Sequence, residues 1–130
     1  MATIKGYTDL EQSKKLAEIL PLESADMYWK NGVSDKYIQC FTPFVTDEYR
    51  SNVDYDYDVP CWSLAALLNV LNTIEGWYPG IDAQVGEEHN WQICMFSYET
   101  GSDISTAVAN KELVDTCYEV ILKLRQLKML

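Results

Sequence analysis

From Leu10 onward the small and apolar positions recur three and four residues apart: Leu10, Ser13, Leu16, Ala17 and Leu20 line one side of a helical wheel. Thr8-Asp9-Leu10-Glu11 has the form of a capping box, and Pro21 stops the pattern. A helix is predicted over about 9–19, with Glu11 and Lys15 as a favourable pair one turn apart. ADMYWK and KYIQCF follow, rich in aromatic and β-branched residues, on either side of Asn31-Gly32. They predict strands near 25–30 and 36–41 joined by a hairpin. Pro43 ends the second strand or marks it as an edge, and TPFVTDEYRSN reads as a surface loop.

In VDYDYDV the period changes to two. Val53, Tyr55, Tyr57 and Val59 point one way, and Asp54, Asp56 and Asp58 the other. This is the signature of a half-buried edge strand with a solvated carboxylate fringe. Pro60 disfavours helix at Val59 and suits a first helical position, so a second helix is predicted near 60–73. Cys61, Trp62, Leu64, Ala65, Ala66, Leu67, Leu68, Val70 and Leu71 surround it almost completely, which predicts a central, buried helix. IEGWYPGIDAQVGEEHN is turn-rich, with a short strand at 81–85. WQICMFSY, 91–98, is apolar on both faces and suits an inner strand. SDISTAVAN leads into a third helix near 110–127, whose core face is Leu113, Val114, Cys117, Val120, Ile121, Leu124 and Leu127. The order predicts one α+β domain over 1–130: three helices on an antiparallel or mixed sheet of about four strands.

Charge adds a second layer. The chain of 130 residues has a formal net charge of −10, unevenly spread. Residues 47–88 hold nine acids against Arg50 alone, a net of −8, while the segments on either side are each near −1. Such a field repels nucleic acid and anionic membrane, so direct binding to either is not expected, and a basic protein is the expected partner. No apolar run approaches the ~18–20 residues of a membrane span. MATIKGYTDLEQSKK lacks the apolar core of a signal peptide, so a cytoplasmic location is expected. Cys40, Cys61, Cys94 and Cys117 show no close pairing and are read as free, mostly buried thiols.

The candidate chemistry is thin. DYDYD opens like a calcium-binding loop, but Val59 stands where glycine is needed and Ala65 where the closing glutamate belongs. Cys61 at a helix start could gain reactivity, yet its only histidine partner would be His89 in the polar turn GEEHN, and Asp58 opposes a thiolate. Glu87-Glu88 is an adjacency with little meaning in a chain of twenty acids. Phosphate-binding, nucleophile-elbow and zinc-protease motifs are lacking, so no catalytic residue, cofactor or metal site is assigned. Four tryptophans and nine tyrosines form a large aromatic set. Of these, Trp77 and Tyr78 in EGWYPG are the ones expected at the surface, where aromatics anchor interfaces.

KLAEILPLESADMYW, DVPCWSLAALLNVL and NKELVDTCYEVILKLRQLKML together resemble a family of small uncharacterised proteins of gut Bacteroides-type bacteria and their phages. Members often carry proline after the asparagine that opens the last helix, where this chain has Lys111. The resemblance implies a phage or prophage origin and brings no activity or site with it. The leading expectation is a small acidic protein that binds a macromolecular partner through Asp54, Asp56, Asp58, Trp77 and Tyr78. A second is a small-ligand binder or enzyme with a pocket near Cys61, Trp62 and His89. A third is a homodimer built on the apolar face of the last helix.

Overall fold

A computed structural model describes residues 4–33, 39–45, 58–84, 90–105 and 111–130. The architecture is α+β, as expected, but the strands divide into two small sheets where one of about four strands was expected. Strands β1 (Met27–Val33), β2 (Gln39–Val45) and β3 (Val59–Cys61) form an antiparallel sheet in the order β2-β1-β3. Strands β4 (Trp77–Gln84), β5 (Asn90–Ser97) and β6 (Asp103–Ser105) form a second, in the order β4-β5-β6. Helices α1 (Leu10–Ala17), α2 (Leu64–Asn72) and α3 (Leu113–Gln126) complete the fold. Among the described residues, no helix is long and apolar enough to cross a membrane.

Helix α1 starts one residue later than the sequence pattern suggests. Asp9 is its N-cap, accepting from the Gln12 N–H at 2.8 Å, and the Gln12 side chain returns the bond to the Asp9 N–H at 3.1 Å. Thr8 is thereby released for another role. Its N–H donates to the Trp62 carbonyl at 3.0 Å and its hydroxyl accepts from the Trp62 N–H at 3.2 Å, stitching the N-terminal segment to the entry of α2. Of the expected stripe, Ser13, Leu16 and Leu20 are buried, whereas Ala17 is exposed.

The hairpin signal Asn31-Gly32 is overridden. Both residues lie inside β1, opposite Phe41 and Cys40 of β2. Pro43 sits within β2, on the open edge of its sheet, where a missing N–H costs no ladder bond. Helix α2 is shorter than the expected 60–73. Pro60 and Cys61 are extended residues of β3, and proline's fixed φ suits that as well as a first helical turn. Ser63 is the true cap: its hydroxyl accepts from the Ala66 N–H at 3.2 Å, and Asp26 receives both the Ser63 N–H, at 2.9 Å, and its hydroxyl proton. Ala66, Leu67, Val70 and Leu71 are buried, while Ala65, Asn69 and Asn72 share the wet face. The helix is central, but not dry all round.

The main core lies between α2, α3 and the inner face of the second sheet. Trp62, Leu67, Leu71, Ile93, Met95, Val114, Ile121 and Leu124 meet there with Leu16 of α1, all essentially inaccessible. Each fully buried aliphatic side chain contributes roughly 1.5–3 kcal/mol relative to exposure, so this cluster is the principal support of the fold. It consumes the apolar face of α3, leaving of the expected stripe only Leu127 well exposed. That face thus packs within the chain's own core.

Candidate functional site

The second sheet separates its aromatic residues by alternation. On β5, Ile93, Met95 and Ser97 point into the core, and Gln92, Cys94 and Phe96 point outward. Antiparallel register pairs Tyr78 with Phe96 and Gly80 with Cys94, so these β4 residues share the outward face. Trp77, paired with Ser97, faces inward and packs against the core. Of the two surface aromatics expected in EGWYPG, Tyr78 is thus exposed and Trp77 is half-buried. The stretch is not a loop: WYPG opens β4.

On that outer face Tyr78 stands between two rings. Its centroid is 5.5 Å from Phe96, nearly parallel at 27°, and 4.6 Å from Tyr98, tilted at 44°. Gly80 makes the arrangement feasible. A Cβ there would lie 2.6 Å from Phe96 Cε2, so the phenyl ring covers bare backbone that no other residue type would leave open. Tyr98 is 71% exposed yet well placed. Its N–H donates to the Gly76 carbonyl at 3.0 Å, and the turn after it is held by the Ser97 hydroxyl, which accepts from the N–H groups of Glu99 and Thr100. Gly101, at φ +71°, closes the turn in the left-handed region.

Carboxylates border this platform. Asp103 of β6 is the direct partner of Phe96, on the same face, and Asp82 lies on β4 two residues beyond Gly80. Both are exposed, as is Glu99 in the turn. Between Arg50 and Lys111 the chain has no lysine or arginine at all, so the sheet's strands carry no cation of their own. Sequence reasoning missed Phe96, Tyr98 and Asp103. The alternation in WQICMFSY was a usable signal, but β6 is only three residues long and gave none.

The acidic stretch fares differently. Asp58 is buried, not part of an outward fringe; its side chain is 1% exposed. Among the described residues, β3 pairs with Met27, Tyr28 and Trp29 of β1. The Asp58 carboxylate, just before β3, reaches the next part of β1, accepting from the Asn31 N–H at 2.9 Å and from the Lys30 ammonium at 3.3 Å. Asp58 is therefore a structural group, closed to a partner. Asp54, Asp56 and His89 lie outside the described residues.

Nor do Cys61 and Trp62 open a pocket. Both are 0% exposed. The Cys61 thiol donates to the Thr8 carbonyl at 3.4 Å, and the Trp62 ring N–H to the Ser24 hydroxyl at 2.9 Å. Burial pushes the Cys61 thiol above its ordinary pKa despite bonds to Thr8 and Ser13, and burial pushes that of Cys117 up to about 12. These are packed thiols, not nucleophiles. Among the described residues no group of His, Cys, Asp and Glu side chains is arranged to hold a metal.

Two clefts flank the N-terminal segment: one of about 380 Å³ between Lys5, Tyr7, Asp9 and Trp29, and one of about 420 Å³ between Ile4, Leu64, Trp91 and Leu113. A third, of about 340 Å³, lies between α1 and α3. Cys61 and Trp62 line none of these three. The wall between the first two is Lys5, whose ammonium is held by Asp115 at 2.7 Å and Asp9 at 3.1 Å. With its charge already matched, that lysine anchors the segment, and the carboxylates Asp9 and Glu112 that line the clefts are its hydrogen-bond partners. No family model, curated protein or solved structure matches this chain.

Proposed function

We propose that this is a small acidic cytoplasmic protein, of phage or prophage origin, that acts by binding a basic protein and not by catalysis. The observation that carries the reading is the outer face of the second sheet. A cluster of exposed Tyr78 and Tyr98 with half-buried Phe96 stands in a stretch of sixty residues, 51–110, without a single lysine or arginine. Exposed tyrosines provide large, rigid contact area at low conformational cost, which is why they anchor interfaces. The surrounding negative field selects for a cationic partner and accelerates its approach.

The reading rejects nucleic acid, since aromatic stacking alone would have to overcome the repulsion between phosphates and this surface. Its test is capture of a partner from host lysate, followed by titration of the purified pair by calorimetry. Affinity should fall steeply from about 0.1 M to about 1 M salt, as the screening length drops from ~10 to ~3 Å. Failure to isolate any partner that binds in purified form, or a Kd unmoved by salt, would contradict it.

A further inference from the structure

We infer that the outer face of β4-β5-β6 seats arginine side chains from an extended basic segment of the partner, with guanidinium planes stacked on Tyr78 and Tyr98 and their N–H groups turned to Asp103 and Asp82. The inference rests on the proposed function and specifies its chemistry.

Three features of the face converge on guanidinium. The first is geometry. Phe96 lies over Gly80, Tyr78 leans on Phe96, and Tyr98 continues the row past the end of β5, so the rings make a stepped surface along the sheet. Planar cations stack on such rings through both the ring quadrupole and flat contact, whereas an ammonium gains only the first.

The second feature is the carboxylate border. Asp103 stands directly across from Phe96, and side chains so paired have Cβ atoms about 4.5–5.5 Å apart. A guanidinium resting on the rings would therefore find a carboxylate beside it, the combination that suits its rigid fork of donors. Asp82 lies further along the same face of β4. Among the described residues no ion pair involves Asp82, Asp103 or Glu99, in contrast to Lys5, Asp9 and Asp115, which satisfy one another.

The third is charge complementarity. The strands of this sheet contribute no cation, so the carboxylates on its outer face have no cationic neighbour on their own strands. A neutral ligand would gain nothing from the uneven charge, and an anionic one would be repelled.

Two extended peptides test this, one alternating arginine with serine and one alternating lysine with serine, titrated by calorimetry against the full chain and against Tyr98→Ala and Asp103→Asn. Both substitutions alter exposed side chains, and circular dichroism confirms that the variants fold. The arginine peptide should bind several-fold more tightly than the lysine peptide. Tyr98→Ala should weaken the arginine peptide by about two- to fivefold, the size of one exposed cation–π contact, and leave the lysine peptide less affected. Asp103→Asn should weaken the arginine peptide and reduce its salt dependence. If both peptides bind equally and neither substitution matters, this inference fails while the basic-partner reading stands. If neither peptide binds at all, both fail.

Discussion

Asp58 shows how one side chain can belong to the backbone's accounting more than to the surface. The alternation in VDYDYDV suggested three equivalent carboxylates, yet the one described residue of the three is buried against β1. A period-two pattern fixes which side of a strand a residue occupies, but not whether that side is open. Here the carboxylate turns to the neighbouring strand and accepts from the Asn31 N–H of β1. Replacing Asp58 with Ala should therefore destabilise the protein by about 1–3 kcal/mol through the Asn31 N–H and Lys30 ammonium it leaves behind. Urea denaturation reads this directly, and a change of less than about 0.5 kcal/mol, the size of an ordinary surface substitution, would contradict it. The cysteines give a second test at this scale. Cys61 and Cys117 should resist alkylation in the native protein and react only on unfolding, as followed by mass spectrometry. With the Cys117 pKa raised from 9.0 to about 12, the folded chain keeps a proton the unfolded chain releases. Its contribution is whole below pH 9.0 and declines as the pH rises towards about 12.

The elements were legible where pattern and context agreed. The stripe of α3 and the inner position of β5 follow from spacing alone, because both are settled by burial against the core. Local signals misled where tertiary structure overrode them. Pro60 looked like a helix opener, but the stronger device was Ser63 backed by Asp26, a residue 37 positions away that no local reading couples to it. Asn31-Gly32 looked like a turn, but β2 pairs across it. WYPG looked like a loop because proline and glycine dominate it. In the folded chain Pro79 sits on the outer strand of its sheet, and Gly80 is the space that Phe96 requires. The exposed site was hidden for the same reason: its rings come from two strands, and only their register brings them together. For α2, Ser63→Ala should cost about 1 kcal/mol by removing the cap from Ala66, visible as a lower urea midpoint with an unchanged slope. An unaltered midpoint would show that Asp26 and the backbone hold the helix start unaided.

At the scale of the whole molecule, the N-terminal segment ties the two halves of the fold together. The N–H of Lys5 donates to Glu112 at 3.2 Å, while its ammonium bridges Asp9 at the start of α1 and Asp115 in α3. Burial disfavours the Lys5 ammonium, but its bonds to Asp115 and Asp9 prevail and raise its pKa above 10.5. Burial likewise opposes the Asp9 carboxylate, but the Gln12 N–H and Lys5 prevail and hold its pKa below 3.8. The sign of each shift sets a window. The Lys5 contribution is complete below pH 10.5 and is lost as the pH rises through its folded value; that of Asp9 is complete above pH 3.8 and is lost as the pH falls through its folded value. The difference in melting temperature between the native chain and Lys5→Ala should be flat between these limits and shrink beyond either. A difference that varies through neutral pH would show that this cluster does not act as described.

The outer face of the second sheet carries the exposed tyrosines and carboxylates proposed to bind the partner, and amide chemical-shift mapping during titration with an arginine-serine peptide locates binding most directly. Perturbations should concentrate at residues 78–82, 94–98 and 103, on one face of one sheet, and fade with added salt. Shifts confined to the Lys5 clefts, or scattered evenly over the acidic surface, would contradict it.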